Sequence, residues 1–238
     1  MNFLPTSATR PSNSALSWNM THKTHDQEQA FDTEELGHWY LRLNGFLTIR
    51  NFVVHRDAAP GQETDADILG IRFPNREEVV DDKPLADEPF FTAERKPLIV
   101  IAEVKGRNRR CKLNGPWTNP DRKNVNKVIK AIGAFPPDLV DDVSTSLYSF
   151  KKFNGETWTV ALICFGGRRN SSLHSNVHQI LWEEVARFIY RRYQEHRAGK
   201  SRHDQWPRIG NRLWSISQNC DENTFVEQVV AQLRTISR

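Results

Sequence analysis

The segment PLIVIAEVKG (residues 97–106) most constrains the fold, because a near-continuous apolar run carries a carboxylate and an ammonium at its end. A short run of this kind is typical of a strand buried on both faces of a sheet. Side chains at positions i and i+2 of a strand share a face, so Glu103 and Lys105 are predicted side by side. A buried carboxylate is costly unless it is paired or binds a metal. The pattern therefore predicts either a structural ion pair or a functional site.

The spacing of the other apolar residues predicts an α/β core with helices packed on a sheet. Helices are expected over residues 25–43, 121–134, 177–197 and 224–236. Strands are expected over residues 46–55, 67–73, 97–104 and 158–165.

The 238-residue chain has the length of one large domain with extensions. Residues 1–23 are rich in Ser, Thr, Asn and Pro and are predicted to form a flexible N-terminal arm. The core is expected over residues 24–170, with an acidic insertion at about residues 74–96. Residues 171–238 are predicted to form a helical extension packed on that core.

The amino-acid composition limits the partners and the cellular compartments that are expected for this chain. The formal net charge of +4 permits an anionic partner without requiring one. The three cysteines are far apart and form no CxxC pair, which favours a reducing compartment, the cytoplasm, over a zinc ribbon or a disulfide framework. Apolar runs are too short for a membrane span, and the N-terminal segment lacks the apolar core of a secretion signal.

A second acid, Asp67, opens the predicted strand before the insertion. If that strand and the 97–104 strand are neighbours, Asp67 and Glu103 share one end of the sheet. Two carboxylates with water and phosphate oxygens suit Mg²⁺, and a nearby lysine can orient or deprotonate a water and offset developing charge. Asp65 is the alternative ligand; Asp67 is favoured because Ile68 and Leu69 continue directly into the strand.

Asp67 followed by Glu103, Val104 and Lys105 resembles the motif of the PD-(D/E)XK nuclease superfamily, which includes restriction endonucleases and archaeal Holliday-junction resolvases. The segment EELGHWYLRLNGFLTIRNF is similar to the first helix and strand of that superfamily, especially in a group of small bacterial predicted nucleases. The positions that fit are Glu34, Gly37, Tyr40, Leu41, Gly45 and Phe46.

The resemblance covers about residues 30–166, with two departures. Ala66 stands where a proline is common, and the long gap between Asp67 and Glu103 requires the insertion to loop out.

The resemblance implies a restriction-endonuclease-like core, with a central mixed β-sheet flanked by helices. It implies a Mg²⁺-dependent endonuclease, with Mn²⁺ as a substitute, that hydrolyses phosphodiester bonds. Asp67 and Glu103 would bind the metal, Lys105 would position the water and stabilise the transition state, and Glu34 would assist the metal or its waters. Glu34 is favoured over Glu35 because it shares a helical face with Ala30, Gly37 and Leu41.

Basic residues on the loop after the 97–104 strand flank these positions and predict contacts with nucleic acid, DNA first and RNA as the alternative. Basic residues on the next helix either add to these contacts or form a solvated face. The residues of the two groups are Arg107, Arg109, Arg110, Lys112, Lys123 and Lys127. The helix over residues 121–134 is also expected to add one polar residue to the site, from Asn124, Asn126 or Lys127. Trp117 either stacks on a base or closes the edge of the core.

Two other classes of function fit the same pattern. One is a nucleic-acid-binding protein with a nuclease fold and no cleavage. The other is an assembly subunit whose insertion and C-terminal helices contact partner proteins. A homodimer or a larger complex is compatible with all three.

Overall fold

The computed structural model describes residues 30–55, 62–80, 82–195, 197 and 206–234. The arm predicted over residues 1–23 lies outside the described residues. Within the part of the chain that is described, no helix is both long enough and apolar enough to cross a membrane.

The described chain contains seven α-helices and eight strands. The helices are α1 Thr33–Leu43, α2 Pro89–Thr92, α3 Asn124–Ile132, α4 Val140–Phe150, α5 Trp182–Glu195, α6 Arg208–Ser217 and α7 Glu222–Ala231. The strands are β1 Leu47–His55, β2 Gln62–Arg72, β3 Val79–Val80, β4 Lys83–Pro84, β5 Leu98–Val104, β6 Lys152–Asn154, β7 Thr159–Gly166 and β8 His178–Leu181.

The main sheet has the order β1-β2-β5-β7-β6, and β8 also pairs with β7. Strands β1, β2 and β5 are antiparallel neighbours, whereas β5 and β7 are parallel. A parallel pair requires a crossover, and α3 and α4 lie in the connection between these two strands. The sheet is therefore mixed and flanked by helices, which confirms the predicted α/β class.

Strand β5 lies at the centre of the sheet, and its side chains enter two cores in alternation. Leu98, Val100 and Ala102 pack in the core that contains α1, α5, α6 and α7. Ile99 and Ile101 pack in the core that contains α3 and α4. All of β5 is buried, as the near-continuous apolar run predicted.

The first helix is shorter than predicted. It begins at Thr33, because the Asp32 side chain accepts the backbone N–H of Glu35 at 3.0 Å and caps the helix. Ala30 is exposed and precedes the helix, so its predicted place on the inner helical face is wrong. Residues 25–29 of that prediction lie outside the described ranges.

Strand β2 is longer than predicted. It begins at Gln62 and pairs with β1 over most of its length, so Asp67 lies within the strand and does not open it. The pairing with β1 stabilises a polar segment that lacks an apolar pattern, and tertiary contact overrides local propensity here.

The predicted helix over residues 177–197 divides into two elements. His178–Leu181 forms β8 and pairs with the C-terminal half of β7, and α5 begins only at Trp182. The C-terminal extension is therefore not wholly helical. The last helix begins at Glu222 with Asp221 as its N-cap, and not at Thr224. Helices α4 and α6 were not predicted.

The acidic insertion at about residues 74–96 does not simply loop out. Phe91 in α2 is fully buried in the core. Asp87 forms ion pairs with Arg72, Arg76 and Arg192, at 2.9, 2.7 and 2.9 Å. These contacts tie the insertion to β2 and α5.

Candidate active site

The pairing of β2 with β5 ends at Ile68 and Ala102. From there β2 continues along β1, and β5 continues along β7. At this fork the Asp67 Oδ2 atom accepts the backbone N–H of Val104 at 2.6 Å. The Asp67 side chain thus takes the place of a backbone acceptor where the two strands separate.

The fork opens into a cleft of about 760 Å³. Its lining includes Glu34 from α1, Asp67 from β2, and Glu103 and Lys105 from the end of β5. The four residues singled out from the sequence thus lie along one cleft. The long separation of Asp67 from Glu103 in sequence is closed by the antiparallel register of β2 and β5.

Glu34 reaches the cleft because α1 packs closely on the sheet. A Cβ atom at Gly37 would lie 3.2 Å from Ile68 and 3.5 Å from Phe165, so a larger residue there would crowd the helix against β2 and β7. Glu34 lies in the first turn of the same helix, at the end that borders the fork.

Glu103 is 4% exposed, and its carboxylate is held by three side chains. Its Oε1 atom accepts hydrogen bonds from Lys105 Nζ and from Asn114 Nδ2. Its Oε2 atom accepts the indole N–H of Trp117 at 2.8 Å. Lys105 Nζ also donates to Asn114 Oδ1 at 3.1 Å, which closes a ring of contacts among Glu103, Lys105 and Asn114.

Electrostatics at the fork favour proton or cation binding at Glu103. Burial, and then the negative charge of Asp67, raise the pKa of Glu103 to about 6. Lys105 and the hydrogen bond from Trp117 act in the opposite direction. A cation placed between the two carboxylates would offset both the desolvation of Glu103 and its repulsion from Asp67.

Three of the predicted basic residues also line the cleft: Arg109, Arg110 and Lys112. Their loop is fixed by a parallel bridge between Arg110 and Arg168. The cleft therefore has carboxylates on the strand ends and cationic side chains on the adjoining loop, an arrangement suited to a phosphate ester held beside a metal.

Arg107 is not among the residues that line the cleft. Its guanidinium donates to the carbonyl oxygens of Val230, at 3.4 Å, and Ala231. A cation at this position satisfies carbonyls at the C-terminal end of α7 and interacts favourably with the helix dipole. The geometry gives Arg107 a structural contact with α7, whereas the sequence predicted that it flanks the site and contacts nucleic acid.

The residues predicted on α3 also lie outside the lining of the cleft. Lys123 is the N-cap of α3, and Lys127 follows one turn later. Asn124 is buried, and Asn126 donates to an aspartate of α4 at 2.7 Å. The polar contribution expected from this helix comes instead from Asn114, in the loop that precedes it.

Sequence reasoning missed Asn114 as a site residue and left the position of Trp117 open. Trp117 is 2% exposed, so it closes the edge of the core while its indole N–H reaches Glu103. The sequence feature that could have identified both residues is the turn Asn-Gly-Pro-Trp, which follows soon after the 97–104 strand.

Arg234 was missed because only the tertiary fold brings it to the cleft. Leu233 forms a parallel bridge with Phe31, and the Arg234 backbone N–H donates to the Phe31 carbonyl at 3.0 Å. The Arg234 guanidinium then lies 3.6 Å from the Asp32 carboxylate at the N-terminus of α1.

The donor set of the cleft fits a hard divalent cation that keeps several waters. Among the residues that the structure describes, no group of three or more His, Cys, Asp or Glu side chains is placed to hold a metal. Asp67 and Glu103 supply two carboxylates, and Mg²⁺ is commonly bound by one or two carboxylates together with waters and substrate phosphates. The residues present therefore fit Mg²⁺ better than an all-protein zinc or calcium site.

Comparisons of the chain with protein-family models, with curated proteins and with solved structures give no match.

Proposed function

We propose that this chain is a metal-dependent endonuclease of the PD-(D/E)XK type that hydrolyses phosphodiester bonds in DNA. The main observation in support is that Asp67, Glu103 and Lys105 line one cleft at the fork between β2 and β5. A carboxylate pair beside a lysine, in a cleft with a cationic wall, is the set that phosphodiester hydrolysis needs.

The order of elements supports a restriction-endonuclease-like core. Helix α1 is followed by the antiparallel strands β1, β2 and β5, then by α3 and by β7 parallel to β5. Apart from β3, β4 and α2 in the insertion, and α4 and β6 before β7, this is the helix, three strands, helix, strand order expected from the sequence. The free cysteines at positions 111, 164 and 220 support the proposed cytoplasmic location.

Asp67 and Glu103 would hold Mg²⁺, with Mn²⁺ as a substitute. When bound, the ion supplies a Lewis acid for the phosphoryl oxygen and lowers the pKa of a coordinated water. Asp67 is oriented for this role by its hydrogen bond to the Val104 N–H, and Glu103 by its three donors.

Lys105 positions the attacking water and offsets the negative charge that develops on the phosphoryl group. Its side chain is 17% exposed, so its ammonium acts in a partly dehydrated setting where charge stabilisation is stronger than in bulk water. Glu34 lines the same cleft, where its carboxylate would accept a hydrogen bond from a water and so help to hold it.

Arg109, Arg110 and Lys112 bind backbone phosphates and place the scissile group at the strand ends. Contacts of this kind carry affinity without reading base sequence. DNA and RNA both present such phosphates, so RNA is the alternative substrate that the experiment must include.

The test is cleavage of supercoiled plasmid, a labelled DNA strand and a labelled RNA strand, with Mg²⁺, Mn²⁺ or EDTA. Wild type is compared with Lys105→Ala and with Lys130→Ala, which removes an exposed lysine on α3. Metal-dependent nicking that Lys105→Ala abolishes and Lys130→Ala retains is the expected result. DNA binding without cleavage by wild type would favour the non-cleaving nucleic-acid-binding protein, and neither binding nor cleavage would favour the assembly subunit.

A further inference from the structure

We propose that Trp117 and Asn114 are positioning residues that orient the Glu103 carboxylate toward a divalent cation and hold Lys105 beside it. This inference rests on the proposed function for the cation, whereas the orientation of Glu103 itself rests only on the contacts. Neither residue belongs to the Asp67, Glu103 and Lys105 motif.

Trp117 is a rigid donor. It is 2% exposed, and it packs in the same core as Ile99 and Ile101, which precede Glu103 on one face of β5. Its backbone N–H donates to the Asn114 carbonyl at 3.0 Å. Because the indole is fixed by packing, its N–H holds Glu103 Oε2 at a defined position, 2.8 Å away.

The three hydrogen-bond donors around the Glu103 carboxylate leave one lone-pair direction of Oε2 for a further contact. A carboxylate oxygen has about two lone-pair directions. Among the described residues, Glu103 Oε1 accepts from both Lys105 and Asn114, whereas Oε2 accepts from Trp117 alone. The remaining direction on Oε2 is the one available to a cation, and loss of the Trp117 donor would let the carboxylate rotate away from it.

Asn114 acts on both charged residues at once. Its amide nitrogen donates to Glu103 Oε1, and its amide oxygen accepts from Lys105 Nζ at 3.1 Å. A neutral amide does this without adding charge to the pair. Asn114 therefore links Glu103 to Lys105 through its amide, in addition to the direct ion pair between the two residues.

The first measurement needs no metal. In ¹⁵N-labelled protein the Trp117 indole N–H resonance is assigned by its loss in Trp117→Phe. Glu103→Gln replaces the charged acceptor with a neutral one, so this resonance is expected to move upfield while the Trp158 indole resonance stays in place. An unmoved Trp117 resonance would overturn the orienting contact.

The second measurement is Mn²⁺ affinity by titration calorimetry. Removal of a side chain that hydrogen-bonds to a metal ligand typically weakens metal affinity by roughly 10–100-fold. Trp117→Phe is therefore expected to weaken Mn²⁺ binding by about that factor. Trp158→Phe, in the same core, is the matched control and should bind like wild type. The control for Asn114→Ala is Asn119→Ala, which changes an exposed asparagine in the same loop.

Thermal unfolding of each variant separates positioning from loss of structure. Because Asn114 is exposed, its variant tests the idea even if Trp117→Phe unfolds. Wild-type Mn²⁺ affinity in folded Trp117→Phe and Asn114→Ala would overturn the positioning role. A wild type that binds no Mn²⁺ would overturn the proposed metal-dependent function instead, and the indole resonance would still decide whether Trp117 orients Glu103.

Discussion

Asp67 Oδ2 lies 2.6 Å from the backbone nitrogen of Val104, so a side chain of β2 satisfies a donor of β5 at the point where the strands part. The Asp67 carboxylate therefore has two separable roles. It stabilises the fork through this hydrogen bond, and under the proposed function it also supplies charge to a cation. Substitutions that keep one role and remove the other distinguish them.

Asp67→Asn keeps a carbonyl oxygen for the Val104 N–H but removes the negative charge. Its free energy of unfolding is expected to stay within about 1 kcal/mol of wild type, whereas Asp67→Ala should lose about 1–3 kcal/mol because a partly buried donor is left unsatisfied. Both variants should lose metal-dependent cleavage. Urea denaturation and plasmid nicking measure the two effects, with Asp65→Asn as the control. Equal stability of the Asn and Ala variants would contradict the structural role.

Arg107 and Arg110 are three residues apart, yet the structure gives them different surroundings. Arg107→Ala should lower the melting temperature, because carbonyls at the end of α7 lose their donor, and should leave nucleic-acid affinity nearly unchanged. Arg110→Ala should leave the melting temperature unchanged and reduce the salt slope of DNA binding by about one. Fluorescence anisotropy at several salt concentrations, with calorimetry, checks both. The opposite pattern would show that Arg107 is the phosphate contact.

The position of the cleft follows from local sequence pattern to a large extent. The run that ends in Glu103 and Lys105 predicts a buried central strand, and the period of two places both charges on one face. Asp67 joins them because antiparallel pairing of neighbouring strands is a short-range consequence of chain order. Once the two strands are taken as neighbours, Asp67 can thus be placed beside Glu103 and Lys105 although a long stretch of chain separates it from them.

Other parts of the site depend on contacts that no local pattern encodes. Arg234 reaches the cleft through pairing of Leu233 with Phe31, which are about 200 residues apart in sequence. Strand β8 looks helical in sequence because Ile180 and Leu181 continue the apolar face of α5, and only pairing with β7 makes it a strand. In the sequence, Arg107 cannot be distinguished from the basic residues next to it, because only the fold brings the end of α7 to its guanidinium.

The ion pairs of Asp87 predict a large effect at a site remote from the cleft. Asp87 and Arg192 have side chains 3% and 1% exposed, and Arg72 is 4% exposed. Removing one partner of a buried charge cluster leaves the others uncompensated, so Asp87→Ala should reduce the free energy of unfolding by about 3–5 kcal/mol. Asp138→Ala, at an exposed position, is the control and should cost little. A loss below about 1 kcal/mol for Asp87→Ala would show that the insertion is not anchored there.

His178 gives the protein a predictable acid sensitivity. Its imidazole stacks on Phe90, with ring centroids 3.7 Å apart. Burial lowers the pKa of His178 from 6.5 to about 4; Glu184 opposes the shift and Arg169 adds to it. Since the folded pKa lies below the unfolded one, the neutral ring stabilises the fold fully above pH 6.5, and this contribution is lost as the pH falls from 6.5 toward 4.

The His178→Phe variant keeps an aromatic ring against Phe90 and removes the titration. Its free energy of unfolding relative to wild type should therefore rise as the pH is lowered from 7.5 to 5, because only in wild type does unfolding expose an imidazole that takes up a proton in acid. Urea denaturation at the two pH values measures the difference. His174→Phe makes the same change at an exposed histidine and is the control. Parallel pH dependence in wild type and His178→Phe would mean that the His178 ring accepts a proton as readily in the folded chain as in the unfolded one.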